Sequence, residues 1–263
     1  MKQTKFNHKI FSAFLVLFMP LFVFAQEPPF SDIGKYFSKK EKEIFENAWK
    51  YQSTFYKQIF PDIIVDFSEI KISVVTDVKN FGNVIMQKKA SGYYSSLKRK
   101  LVILKTEKNK QTFMKTTFHE LSHALQHLYS GDRYDQNPPW LNEGLAVYLA
   151  GMTYHSKKTI HKKDNYLIDR VKTLIELRDL DLVNFVNWDH PKFTKESFSQ
   201  DAYGYAVGYC IVLFLMNNDE KDVFSLFRSL IENRDKPSTE IFDKYYEGGF
   251  LQFEKDFVKN YLK

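Results

Sequence analysis

Cysteine is almost missing from this chain: Cys210 is the single one in 263 residues, so no disulfide can form within it. It sits in an apolar run and reads as a buried small hydrophobe rather than a nucleophile. Long apolar stretches are missing too. The one from Ile10 to Phe24 falls short of the roughly 18 to 20 residues that span a bilayer, and Pro20 would disturb a membrane helix. The basic excess is only +6. Lysines are spread over Lys39 to Lys50, Lys98 to Lys110 and Lys157 to Lys163 without an aromatic-interleaved basic stripe, which argues against nucleic acid as a partner. No internal repeat, low-complexity tract or flexible linker interrupts the chain.

The amino terminus carries a targeting pattern. Lys2, Lys5 and Lys9 precede the apolar stretch, and Val23-Phe24-Ala25 offers the modest residues that a signal peptidase reads. A secretory signal peptide over residues 1–25, cut before Gln26, is expected, with an uncleaved anchor as the alternative. The protein is then exported, periplasmic or secreted, with no stable membrane insertion after cleavage. Removing residues 1–25 takes away three lysines and no acid, so the charge falls to +3 (6 − 3). The remaining 238 residues (263 − 25) fit one domain: a helix and sheet over 26–111, then a helical part over 112–263.

What is present is a reactive constellation. His119-Glu120-Leu121-Ser122-His123 is an HExxH sequence inside a segment where Phe113, Thr117, Leu121, Ala124, Leu125 and Leu128 recur at helical spacing and Gly131 offers a stop. Four residues advance a helix by about 400° and roughly 6 Å, so His119 and His123 share one face and both imidazoles can reach one ion. Glu120 lies about 60° around from His123, beside the metal without being a ligand, where a general base belongs. A catalytic zinc takes three protein ligands and keeps a fourth position open, so a third ligand is required.

That ligand can be sought by elimination. His127 lies about 12 Å along the axis from His119, too far to share the ion. Asp132 and Asp135 fall in a stretch of loop composition, where acids are solvated. Glu143 interrupts the apolar run Trp140 to Ala150, and a carboxylate there needs a partner, since burying an unpaired charge is costly. Pro138 and Pro139, with Asn137 as cap, start this run as a second helix.

His119-Glu120-x-x-His123 followed after nineteen residues by Glu143 resembles the gluzincin metallopeptidases, and Trp140-Leu141-Asn142-Glu143-Gly144-Leu145-Ala146 is similar to the Glu-bearing helix of their aminopeptidase branch and of small peptidase MA-like domains. The metzincin pattern is absent, because Tyr129 and Gln126 stand where it needs histidine and glycine. The resemblance implies one Zn²⁺ per chain held by His119, His123 and Glu143, with Glu120 as the base. It also implies that Tyr205, in Tyr205-Ala206-Val207-Gly208, donates a hydrogen bond to the oxyanion. Tyr203 and Tyr209 are close by, and Tyr205 as a plain core or pocket-wall aromatic stays open.

Departures from that family narrow the expectation. Nothing between Phe81 and Lys105 resembles the Gly-x-Met-Glu-Asn strand with which aminopeptidases hold a free amine, which favours an endopeptidase. Val147 stands where thermolysin-like enzymes have the acid that orients the first histidine.

Lys71–Val75, Gly92–Ser95 and Lys100–Leu104 read as strands of a small twisted sheet, and the resemblance implies that an edge strand around Gly92 to Ser95 lines the cleft. Residues 35–60, 165–180, 200–217, 221–232 and 250–262 read as helices. The expected fold is α+β and zincin-like: a small sheet, the HExxH helix, the Glu-bearing helix and a helical carboxy-terminal part. The expected function is an exported zinc metallopeptidase acting on a peptide or protein. The alternative is a cell-envelope binding or scaffold protein with the same fold and little turnover.

Overall fold

Ser38 and Glu41 start the first long helix by exchanging bonds. The Ser38 amide donates to Glu41 Oε2 at 2.7 Å and the Glu41 amide donates to Ser38 Oγ at 3.3 Å, a capping box that satisfies two otherwise free amides. In the computed structural model, which describes residues 33–77, 81, 91–110, 112–155, 158–199, 202–218 and 223–262, a short helix α1 (Ile33–Tyr36) precedes this α2 (Lys39–Ile59). Residues 1–25, expected to be a signal peptide, lie outside the described residues.

Three strands follow: β1 (Lys71–Val75), β2 (Gly92–Ser95) and β3 (Lys100–Leu104), in the sheet order β1-β3-β2. The β1 strand runs parallel to β3 with Lys71 opposite Lys100, and β2 runs antiparallel to it with Gly92 opposite Ile103. The β2–β3 turn closes through Arg99, whose φ of 47° is left-handed. Because β3 is central, β2 is an edge strand.

The HExxH segment forms α3 (Phe113–Ser130), and Gly131 ends it at φ 72°, with its amide bonded to the His127 carbonyl. Its apolar side lies on α2, where Gln52 Nε2 donates to the Phe118 carbonyl at 3.0 Å and the Tyr56 and Ser122 hydroxyls share a bond of 2.7 Å. After a 3-10 turn (Gly131–Gln136) comes α4 (Pro139–Ala150). Asn137 is not its cap, as the sequence suggests. Pro138 takes that place, its carbonyl accepts the amides of Leu141 and Asn142, and the buried Asn137 side chain instead accepts from Arg234 at 2.9 Å.

The hairpin β4 (Met152–His155) and β5 (Lys158–His161) leads into α5 (Asn165–Glu176), α6 (Leu182–Phe185), α7 (His190–Ser199), α8 (Tyr203–Asn217), α9 (Val223–Glu232), α10 (Ser238–Tyr245) and α11 (Gly249–Tyr261). The α5 helix stops short of the expected Leu180 because Arg178 turns left-handed at φ 58°. The hairpin, α6, α7 and α10 are additions to the sequence reading. They are short, and pairs of turns leave little periodicity to detect.

Helices α4 and α8 are buried nearly all round and make the most extensive helix contact among the described residues. Glycine makes this possible: a Cβ on Gly144 would lie 2.5 Å from the Gly208 carbonyl oxygen, and one on Gly208 would lie 2.6 Å from that of Trp140. Cys210, fully buried on α8, has its thiol pushed up to about 12 by burial, so it is packing and not a nucleophile. The architecture is α+β, mostly helical with a small three-stranded sheet. No described helix is long and apolar enough to cross a membrane.

Candidate metal centre

Three donor atoms from two helices meet above α3. His119 Nε2 and His123 Nε2 are 3.1 Å apart, and Glu143 Oε2 from α4 lies 3.2 Å from the first and 3.5 Å from the second. Helical periodicity puts the two imidazoles edge to face, with ring centroids 4.8 Å apart and ring planes at 84°, and the α3–α4 packing brings Glu143 over them.

The donor set fits a metal ion. Ligands about 2.0 to 2.1 Å from a tetrahedral zinc stand about 3.3 Å from one another, which is the spacing here. Two facing ring nitrogens can share at most one proton between them. Glu143 Oε2 is buried and, though close to both rings, has no hydrogen-bond partner in good geometry. A cation would satisfy all three atoms, and His119, His123 and Glu143 could hold a metal ion. Burial alone would raise the Glu143 carboxyl, but the His123 and His119 imidazoles beside it outweigh burial and hold the group far below the usual range.

Glu120 is buried beside this cluster and is not part of it. Burial raises its carboxyl to about 7, helped by the Glu143 charge and opposed by His119 and by the Tyr94 amide, which hydrogen-bonds to it. The edge strand explains that last bond. The Leu104 amide donates to the Ser91 carbonyl at 2.8 Å, and alternation along an antiparallel pair then turns the backbone groups of Gly92 and Tyr94 away from β3. Gly92 lets the strand settle on α3, since a Cβ there would lie 2.8 Å from Thr116 Cγ2 and 3.1 Å from Glu120 Cγ.

Tyr205, at the start of α8, is close enough for Glu143 to be the largest cause of its raised pKa, with burial next and Glu120 third. Its phenol therefore stays protonated, a donor and not an anion. Phe193 of α7 packs on its ring at 5.8 Å. Tyr203 points elsewhere, stacking on Trp188, and the Tyr209 hydroxyl accepts from the Asp164 amide at 3.0 Å. Of the three tyrosines the sequence left open, Tyr205 is the one whose charge environment is set by the cluster.

His127 does not join the metal cluster, in keeping with its distance along the helix. Its Nδ1 bonds the Tyr94 hydroxyl at 2.7 Å, and its ring stacks on Tyr134 at 5.2 Å. Tyr134 is the residue that sequence reasoning passed over. It sits on the 3-10 turn, buried, with its hydroxyl 2.9 Å from His123 Nδ1. Burial, and next to it the Glu143 charge, keeps this phenol protonated. The neighbouring Asp132 and Asp135 are exposed, as loop composition implies; they bind Arg99 and Ser96 of the β2–β3 turn. A lone aromatic between exposed acids was the only sequence signal for Tyr134.

Residues 114–237 match a family described as a protein of unknown function (DUF1570). That stretch contains His119, Glu120, His123, Tyr134, Glu143 and Tyr205, and leaves out the three-stranded sheet. No curated protein matches the chain.

Proposed function

We propose that this chain is an exported zinc metallopeptidase of gluzincin type, hydrolysing peptide bonds, with endopeptidase action favoured over aminopeptidase action. The observation that carries the reading is the approach of His119, His123 and Glu143 to within 3.1–3.5 Å of one another, with the Glu120 carboxyl beside them. A small sheet whose edge strand lies across the HExxH helix supports a zincin-like fold. When bound, Zn²⁺ would supply Lewis acidity, polarising the scissile carbonyl and acidifying the attacking water.

The protein's own groups divide the remaining work. His119, His123 and Glu143 would hold the ion, at a place solvent reaches, since the His119 and Glu143 side chains stay 21% and 23% exposed. Glu120 takes the proton of the attacking water and passes it to the leaving amine, its carboxyl standing beside the three metal-binding side chains without belonging to them. The Tyr94 amide fixes the carboxyl for that transfer. Tyr205 donates a hydrogen bond from its phenol to the oxyanion as charge develops and keeps its proton. Gly92, with backbone groups turned away from β3, offers an extended peptide a partner on the edge strand. The absence of an amine-binding Gly-x-Met-Glu-Asn motif supports internal cleavage.

Digestion of a diverse peptide library by zinc-loaded wild type and by Glu120→Gln tests the reading. Wild type is expected to cleave internal bonds and the variant to cleave none at equal zinc content. Zinc bound without cleavage of any peptide would overturn the catalytic reading in favour of a cell-envelope binding or scaffold protein.

A further inference from the structure

We propose that Tyr134 is a positioning residue for the metal ligand His123, acting through the ring nitrogen that faces away from the ion. The inference rests on the metal reading of His119, His123 and Glu143 and adds to it a residue that no ligand motif contains.

The geometry is specific to one histidine. A neutral imidazole that gives Nε2 to a metal carries its proton on Nδ1, and that proton needs an acceptor that also fixes the ring. For His123 the atom at hand is the Tyr134 oxygen, 2.9 Å away, with both residues buried. The phenol accepts from Nδ1–H and leaves Nε2 bare, aimed at His119 Nε2 and Glu143 Oε2. Carboxylates and backbone carbonyls usually fill this role; a neutral phenol adds no charge to a pocket that already holds Glu120 and Glu143.

Tyr134 is in turn held on several sides. Its ring stacks on His127, which is bound by the Tyr94 hydroxyl. The 3-10 turn carrying it is tied down by Arg234, which donates to the Arg133 carbonyl at 2.6 Å, to Asn137 Oδ1 at 2.9 Å and to the Ser130 carbonyl at 3.4 Å. His190 Nε2 meets the Asn137 carbonyl at 3.1 Å. A turn bonded at both ends places the phenol within the few tenths of an ångström that ligand orientation requires. The same Tyr94 whose amide holds Glu120 thus also braces, through His127, the tyrosine that holds His123.

Zinc affinity, measured by chelator competition on the full chain, tests this without any need for turnover. Tyr134→Phe keeps the ring and its stack on His127 and removes only the oxygen; it is expected to weaken zinc binding about 10- to 100-fold. The visible spectrum of the cobalt-substituted protein is expected to shift with it. Tyr56→Phe is the control, because it severs another buried phenol bond to α3, at Ser122, with no ligand beyond it; its affinity is expected within about twofold of wild type. If Tyr134→Phe fails to fold, 3,5-difluorotyrosine at position 134 keeps the shape, weakens the acceptor and is expected to shift the cobalt spectrum.

Unchanged affinity and spectrum in a folded Tyr134→Phe, or equal losses in Tyr134→Phe and Tyr56→Phe, would overturn the role of Tyr134 while leaving the metal reading intact. A wild type that binds no zinc would overturn both.

Discussion

Gly144→Ala probes the contact on which the site's geometry depends. The α3–α4 packing brings Glu143 to the histidines while α8 backs α4 at backbone distance, and the new Cβ would stand 2.5 Å from the Gly208 carbonyl oxygen and 2.7 Å from its carbon. Ordinary contact begins near 3.4 Å, so the helices must part by about 0.9 Å (3.4 − 2.5) at this point. No rotamer can relieve a clash with backbone. Overpacking of this kind costs about 1–3 kcal/mol, and the gain in helix propensity from Gly to Ala offsets about 1 kcal/mol of it. The net loss is about 0–2 kcal/mol, a fall in melting temperature of up to about 8 °C for a chain of this size.

The effect on the site is larger in relative terms. Metal–ligand distances tolerate only about 0.2 Å, and Glu143 precedes the substituted residue. A roughly tenfold loss of zinc affinity, about 1.4 kcal/mol, is expected. Thermal melts of the metal-free protein and chelator competition would read the two effects separately. A variant that melts at or above wild type and binds zinc equally well would refute the reasoning, since it would mean that α4 and α8 separate freely.

Further outcomes follow from individual groups. Tyr205→Phe should bind zinc like wild type while losing about 10²-fold in kcat, the usual consequence of removing one oxyanion donor; peptide-cleavage kinetics with metal analysis would check it. Arg234→Met should leave the carbonyls of Ser130 and Arg133 and Asn137 Oδ1 short of a donor, lowering stability by about 1–3 kcal/mol in denaturant titration. Glu41 is shifted up by burial, but bonds to Lys105 and Ser38 outweigh this and leave its pKa below 4.5. A depressed carboxylate stabilises the fold above its unfolded pKa and loses that contribution as pH falls through the folded value. Glu41→Gln, which keeps the capping box, should therefore melt below wild type near neutral pH by an amount equivalent to about 1 kcal/mol or less. That gap should shrink as pH falls below the ordinary glutamate range and close once the folded carboxyl is protonated.

The candidate metal site was legible because its information is local. Periodicity placed His119, Glu120 and His123 on one helix, and the proline pair and an apolar run marked Glu143 as an acid with an unusual neighbourhood. The three strands could be read from alternation and β-branched residues, including the edge strand that meets Glu120. Tyr134 could not be read, because its importance arises only when the 3-10 turn folds back under His123 and Arg234, about a hundred residues later, fixes it there. Asn137 misled for a related reason: its composition says cap, but a distant arginine takes its side chain. The glycines of the α4–α8 contact lay in view as parts of the Glu-bearing and Tyr-x-x-Gly segments, yet only the packed helices show that Gly144 and Gly208 face each other.

Metal counting by native mass spectrometry tests the central claim most directly. Wild type and Glu120→Gln are each expected to carry one zinc per chain, and Glu143→Ala and His119→Ala to carry none under the same conditions. Zinc retained at full stoichiometry in Glu143→Ala, or absent from wild type, would contradict the account.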